Sequence, residues 1–168
     1  MKKIALVCIA FITAVLVLAG PSLAVDAKYS PGAAKQVDEF KILKRDKKEM
    51  PASLKGVKNI TADELKAMID QKKKIMILDN RPADEFEKEH IPGSIRLNSD
   101  DLLDNAKLAE AAGLKKDDVI VNYCNGEKCW RSPAVAVMLQ DLGYQNINWL
   151  RNGLPEWVKK GYPTTEGK

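Results

Sequence analysis

In 168 residues the chain carries 27 lysines and arginines against 23 aspartates and glutamates, with one histidine and three cysteines. That length allows one ordinary domain with short additions. The near-balanced charge offers no clustered basic face of the kind nucleic acid requires, and one histidine with so few cysteines leaves no ordinary zinc site.

Lys2 and Lys3 precede an apolar run from Ile4 to Ala19, and Gly20-Pro21-Ser22-Leu23-Ala24 follows. A charged start, an apolar middle and small residues before a cleavage point read as a secretory signal over residues 1–24, with cleavage after Ala24 or Ala27. The run is shorter than the roughly 20 apolar residues that span a bilayer. No stable membrane anchor is therefore expected after cleavage, and the expected location is outside the cytoplasm, in a periplasm. Cys8 lies inside the run and would leave with it. The mature chain keeps Cys124 and Cys129, too close together for a disulfide scaffold and, in an oxidising compartment, suggestive of redox or sulfur chemistry.

Residues 25–58 read as an N-terminal extension or linker in which basic residues outnumber acidic ones. Ser30-Pro31-Gly32 is a turn and Met50-Pro51 a stop. Between them Val37, Phe40 and Leu43 form one face of a short packed helix, or the stretch is a solvated linker; the residues leave both open.

The domain is expected over residues 59–168. Thr61-Ala62-Asp63-Glu64 is a capping box opening a helix that Lys72-Lys73-Lys74 ends. Ile75-Met76-Ile77-Leu78 is a continuous apolar strand of the kind buried on both faces of a parallel sheet. Asp79-Asn80-Arg81-Pro82 turns it into a short helix from Ala83 to Glu89. His90-Ile91-Pro92-Gly93-Ser94-Ile95 is a turn entering another strand, and Ser99 caps a helix that runs to Gly113.

Next comes the stretch with the most chemistry. Val119-Ile120-Val121-Asn122-Tyr123 is a buried strand that stops at Cys124. The polar loop Asn125-Gly126-Glu127-Lys128-Cys129-Trp130-Arg131 follows, and then Ser132-Pro133 opens a helix, with serine at the cap and proline at the first helical position. A cysteine at a strand end, facing a helix N-terminus, has its thiol pKa lowered and an anion held beside it. Gly126 lets the loop backbone approach a bound group. Arg131 sits where a cation is disfavoured unless an anion accompanies it. Gly143 closes the helix, Ile147-Asn148-Trp149-Leu150 is a last strand, and Asn152-Gly153 turns into a final helix around Trp157, ended by Gly161 and Pro163. Strands alternating with helices give an α/β fold with a central parallel β-sheet flanked by helices on both faces.

Asp79, Arg81, Glu85-Phe86 and His90-Ile91-Pro92-Gly93-Ser94-Ile95 resemble the D-x-R, E-F and H-I-P-G-A/S-I signature of rhodanese-like domains. Leu150-Arg151-Asn152-Gly153, Trp157, Gly161 and Pro163 resemble that family's closing L-x-G-G, W and G-x-P. The resemblance covers roughly Asn59 to Glu166 and implies a single rhodanese-like domain with Cys124 as its catalytic cysteine. It further implies sulfur transfer from thiosulfate or polysulfide, through a Cys124 persulfide, to cyanide or a thiol, with no cofactor. The loop Asn125, Gly126, Glu127, Lys128, Cys129, Trp130, Arg131 and Ser132 would then bind the donor, with N–H groups facing its charge and Lys128 and Arg131 as anion contacts. Asp79 and Arg81 are expected to tie strand ends to helix starts. His90 reads as a turn residue with a satisfied hydrogen bond, and Trp149 and Trp157 read as core.

Two departures stand out. Six residues separate Cys124 from Arg131, where the family loop C-R-x-G-x-R has four, and Cys129 and Trp130 lie among them. Asn152 replaces the first glycine of the closing pair, which asparagine tolerates if the position is left-handed. Two other functions remain compatible with the sequence: a thiol–disulfide protein using Cys124 and Cys129 as a redox pair, and a module carrying sulfane sulfur to a partner enzyme.

Export is testable directly. N-terminal sequencing of protein from its native host is expected to begin near Val25 or Lys28; an intact Met1 on membrane-bound protein would refute it.

Overall fold

The computed structural model describes residues 28–167. The signal segment 1–24, its cleavage points and Cys8 lie outside the described residues.

The apolar runs pair side by side in parallel. Strand β2 (Met76–Asp79) lies between β3 (Ser94–Arg96) and β4 (Ile120–Tyr123), and β4 pairs in turn with β5 (Ile147–Leu150). A two-residue edge strand, β1 (Lys58–Asn59), completes a five-stranded parallel sheet in the order β1-β5-β4-β2-β3. The central strands are short and apolar because both of their faces are covered. Nothing in the sequence marks β1: both of its residues are exposed and polar, and only pairing with β5 makes them a strand.

On one face Leu65 of α2 (Ala62–Asp70) and Trp157 of α7 (Gly153–Lys159) pack over Val121, Tyr123 and Leu150. The other face is covered by α6 (Arg131–Asp141), with α4 (Ser99–Asp104), α5 (Leu108–Ala111) and α1 (Pro31–Arg45) packed around it. A short α3 (Ala83–Lys88) follows β2. The expected architecture, a parallel sheet with helices on both faces, is the one found.

Local signals place most boundaries. The capping box at α2 is complete: the Thr61 hydroxyl accepts from the Glu64 N–H and the Glu64 carboxylate accepts from the Thr61 N–H. Gly113, Gly143 and Gly161 follow α5, α6 and α7 with φ of +82°, +89° and +73°, values that glycine adopts without steric cost. The helix expected from Ser99 to Gly113 is instead two helices. Its cap is Asn98, whose side chain accepts from the Asp100 N–H at 2.8 Å. The break comes where Asn105 turns its side chain onto the Lys107 N–H at 3.1 Å, a local turn that competes with the helix.

Residues 31–45, left open between helix and linker by the sequence, form α1, capped by Ser30 with Pro31 in the first turn. Val37 and Phe40 are buried, and with Met50, Leu54 and Val57 they belong to the same core as Ala134, Val135 and Met138 of α6. Ser30 also bonds Asp141 at the far end of α6 through its N–H, 2.7 Å, and Tyr29 donates to the Leu102 carbonyl at 2.7 Å. The stretch is thus packed on the domain as one of its layers.

That packing generates a stability prediction. Phe40→Ala is expected to lower unfolding stability by about 3–5 kcal/mol, while Ile42→Ala, on the exposed side of the same helix, should change it by less than about 0.5 kcal/mol. Urea midpoints would check both, and equal small effects would show that α1 does not hold to the core.

Candidate functional site

The chain moves from β2 outward to β3, then returns across β2 to lay down β4 and β5. The strand order therefore reverses between β2 and β4, and in open α/β sheets the crevice at the carboxyl ends of such strands is where ligands bind. The residues there are Asp79, Asn80 and Arg81 after β2 and Cys124 after β4.

The β2 end is a rigid base. Arg81 forks onto the buried Asp79 carboxylate, Nη2 to Oδ2 at 2.6 Å and Nε at 3.0 Å, and also donates to the Glu89 carbonyl. Burial works against the guanidinium's charge, but the bond to Asp79 outweighs it and raises the Arg81 pKa above its ordinary value. Tyr123, at the end of β4, is wholly buried. Its hydroxyl accepts from the Ile91 N–H at 3.1 Å and meets the Ser94 hydroxyl at 3.2 Å. Burial first, and the Asp79 charge second, push the Tyr123 phenol far up, so it stays neutral. His90 is buried and stacked on Phe86, its Nδ1 2.8 Å from the Phe86 carbonyl. These signature residues serve the framework, as the sequence suggests.

The start of α6 is tied down from below. Asn122, the one polar residue in its strand run, donates to the Ser132 carbonyl at 2.6 Å and to the Asn80 side chain at 3.2 Å. Trp149 of β5 donates its indole N–H to the Ser132 hydroxyl at 2.9 Å. Ser132 is thus not the helix cap that the sequence predicts. It lies inside α6, which begins at Arg131, and its hydroxyl is turned into the core by Trp149; Trp130 takes the cap position with a helical backbone. The sequence places Asn122 in the strand and Trp149 in the core, but not their hydrogen bonds to Ser132. The signal for Asn122 was a lone amide in an apolar strand, which must find a partner once buried.

The loop between β4 and α6 is held on three sides. The Cys124 carbonyl accepts from the Leu154 N–H at 2.9 Å. Gly153, at φ +63°, permits that approach: a Cβ there would fall 2.6 Å from the Gly126 nitrogen and closer still to the Cys124 oxygen. Asn152 itself is right-handed, at φ −75° and ψ −9°. The left-handed geometry expected of it belongs to Gly153, so asparagine is accepted at 152 without strain. On a second side Asn125 donates to Glu85 at 2.5 Å. On the third, the Glu127 carbonyl accepts from the Met50 N–H at 2.8 Å and its carboxylate from Arg151.

Cys124 and Cys129 are joined by a disulfide across a turn in which the Cys129 N–H bonds the Gly126 carbonyl at 2.9 Å. Their Cα atoms are 6.2 Å apart, within the range a disulfide spans. Cys124 is 1% exposed and Cys129 7%. Trp130 is buried in the core under α1, with the Lys41 ammonium 5.3 Å and the Arg131 guanidinium 5.5 Å from its ring centre, both within cation–π range. Arg131 does have an accompanying anion: Asp100, 3.3 Å from its Nε. Lys128 is exposed. It helps to line an open cavity of about 490 Å³ with Gly126, Asn152, Pro155 and Lys159. A second cavity of about 330 Å³ lies between Arg81, Lys88, Asn125 and Val158. The loop thus brings every predicted site residue to one end of the sheet, while Trp130 and Ser132 face inward.

With the disulfide closed, the site holds no thiolate. Reduced, it presents a cysteine at the end of a central strand, at the start of the loop that leads into the eleven-residue helix α6.

Comparison with known proteins agrees with this fold. The family profile described as "Rhodanese-like domain" matches residues 61–160. The uncharacterised protein YibN of Escherichia coli is 33% identical over 112 residues, which is 67% of this chain and 75% of that protein. The HTH-type transcriptional regulator Rv0324 of Mycobacterium tuberculosis is 36% identical over 93 residues, 55% of this chain but only 38% of the regulator's length. Among solved structures, the rhodanese-like domain of an Anabaena protein superposes with a TM-score of 0.54 at 27% identity, covering 67% of this chain and 80% of that one. Thiosulfate sulfurtransferase from Pseudomonas aeruginosa shares the fold with a TM-score of 0.56 at 22% identity, over 81% of this chain and 24% of that one.

The close approach at Gly153 yields a prediction. Gly153→Ala is expected to destabilise the protein by more than about 2 kcal/mol, from a left-handed alanine plus the clash with the Cys124 peptide. Denaturant titration checks this; a loss no larger than for an exposed helix glycine would mean that α7 does not press on the loop as described.

Proposed function

The chain belongs to the rhodanese-like domain family, and from that premise we propose that it is a sulfurtransferase whose nucleophile is Cys124, acting outside the cytoplasm after removal of residues 1–24. The observation that carries the reading is the position of Cys124, at the carboxyl end of β4 where the strand order reverses, under a loop that leads into α6.

The cycle starts with reduction of the Cys124–Cys129 disulfide by a thiol. The Cys124 thiolate then attacks the outer sulfur of thiosulfate, the S–S bond of the donor breaks, and sulfite leaves with the electron pair. With polysulfide, the leaving group is the chain shortened by one sulfur. The terminal sulfur of the resulting persulfide carries the negative charge, which the α6 N-terminus stabilises. A thiolate or cyanide next attacks that terminal sulfur, and Cys124 leaves as thiolate. We assign Lys128, exposed at the rim, and Arg131, shared with Asp100, to the donor's charge. The loop departs from C-R-x-G-x-R, so donor choice is set by this chain's own residues.

The disulfide itself favours a second reading, a thiol–disulfide protein using the same two cysteines. The two readings differ in what Cys129 does. If Cys124 is the sulfur carrier, attack by the Cys129 thiolate on the inner persulfide sulfur releases hydrosulfide and closes the disulfide. Cys129 is then an off-switch, not the catalyst.

Intact mass of the reduced protein after exposure to thiosulfate or polysulfide is expected to show gain of one sulfur atom. Cys124→Ser should fold and take up none. Cys129→Ser should stay active without reductant and accumulate more persulfide. A Cys129→Ser protein that is dead while Cys124 remains modifiable would establish the redox pair and refute the sulfurtransferase reading.

A further inference from the structure

Arg151 follows β5, one residue past Leu150, the register partner of Tyr123. It is therefore level with Cys124 on the neighbouring strand. Its side chain is only 15% exposed, and its donors are divided between two targets. Nε donates to the Pro51 carbonyl at 3.1 Å and Nη2 to the Met50 carbonyl at 2.9 Å. Nη2 also lies 3.5 Å from the Glu49 carboxylate, and Nη1 is bonded to Glu127. The Met50 N–H closes the ring by donating to the Glu127 carbonyl. One planar guanidinium thus ties a strap, residues 49–51, to the cysteine loop. The strap precedes the segment that matches the family profile.

Glu127 lies within the turn that the Cys129 N–H closes on the Gly126 carbonyl. Holding Glu127 from both its main chain and its side chain fixes where that turn delivers Cys129. We propose that Arg151 is a positioning residue that uses the 49–51 strap to hold Cys129 within bonding reach of Cys124, and so sets how readily the site closes on itself. Through the strap, the N-terminal layer determines what fraction of Cys124 is available as thiolate.

The reaction that reads this out is exchange with glutathione. The two thiols and one oxidised glutathione give the Cys124–Cys129 disulfide and two reduced glutathiones, the pair losing two protons and two electrons to the oxidant. Its equilibrium constant measures the effective concentration of one thiol beside the other. Freeing the loop lowers that concentration without altering either cysteine. The measurement needs no sulfur transfer, so its outcome is independent of the function proposed above.

The experiment equilibrates the full chain and its variants in glutathione buffers and counts closed molecules by mass after acid quenching. Arg151→Ala is expected to lower the equilibrium constant for closure about tenfold, the loss of charge-assisted bonds that hold one conformer. Arg151→Lys, which keeps the charge but not the fork, should recover part of it. Glu127→Gln leaves the strap bonded to Arg151 through its carbonyls. It should shift closure in the same direction, and it serves in place of Arg151→Ala if that variant fails to fold. Three outcomes would overturn the proposal: a wild-type pair that stays reduced in these buffers, closure unchanged in both Arg151→Ala and Glu127→Gln, or closure unchanged in Arg151→Ala while its thermal midpoint falls equally in the oxidised and reduced forms. The last result would make Arg151 a staple of the strap alone.

Discussion

The site depends on one buried amide. Asn122 sits in the middle of the sheet with no access to water, and its side-chain NH2 must find acceptors inside the protein or cost the desolvation of the donor, while its Oδ1 is left without a hydrogen-bond partner. The NH2 finds the Ser132 carbonyl and the Asn80 side chain. That bond fixes the first turn of α6 over the end of β4, and Trp149 locks it by taking the Ser132 hydroxyl. An aliphatic residue at 122 would suit the strand equally well but would leave the Ser132 carbonyl without this donor. The start of α6 is thus held by hydrogen bonding within the core.

Once α6 is anchored, the loop above Cys124 has fixed ends, and its remaining freedom is removed from both flanks. Helix α7 presses on one side through the missing side chain of Gly153, and the 49–51 strap grips the other through Arg151. A loop of this length costs conformational entropy to close and would be loose if left unpacked. Here it carries Cys129 and Trp130, and both are buried, one against Cys124 and the other under α1. These residues are therefore packed into the fold. The N-terminal layer and the loop belong together: Trp130 lies under α1, and Glu127 is held by Met50 and Arg151.

The charges around the loop follow the same economy. The cation at the start of α6 would oppose the helix dipole if left alone. Asp100 answers it from α4, and the Trp130 ring lies under both Arg131 and Lys41. The buried Asp79–Arg81 pair is the opposite kind of contact. It is shielded from water, its second carbonyl partner satisfies the fork, and breaking it would strand a charge inside the protein. Surface pairs such as Lys35–Glu39 are exposed on both sides and contribute little by comparison.

Much of this was legible in the sequence because its causes are local. Three of the five strands were apolar runs with turn residues at their ends, and the His90–Gly93 turn announced β3; the Thr61–Glu64 box opened α2, and glycines marked where α5, α6 and α7 stop. The same punctuation put Cys124 at a strand end before a helix. The rest depended on partners far along the chain. Whether residues 31–45 pack was decided by α6, a hundred residues away, and β1 exists only through β5. Ser132 looked like a cap until Trp149 claimed its hydroxyl, and the anion that Arg131 needs turned out to be Asp100. Periodicity and turn chemistry report what the backbone does within a few residues. Which buried donor meets which acceptor, and so which cysteine meets which, is set only when distant segments compete for the same space.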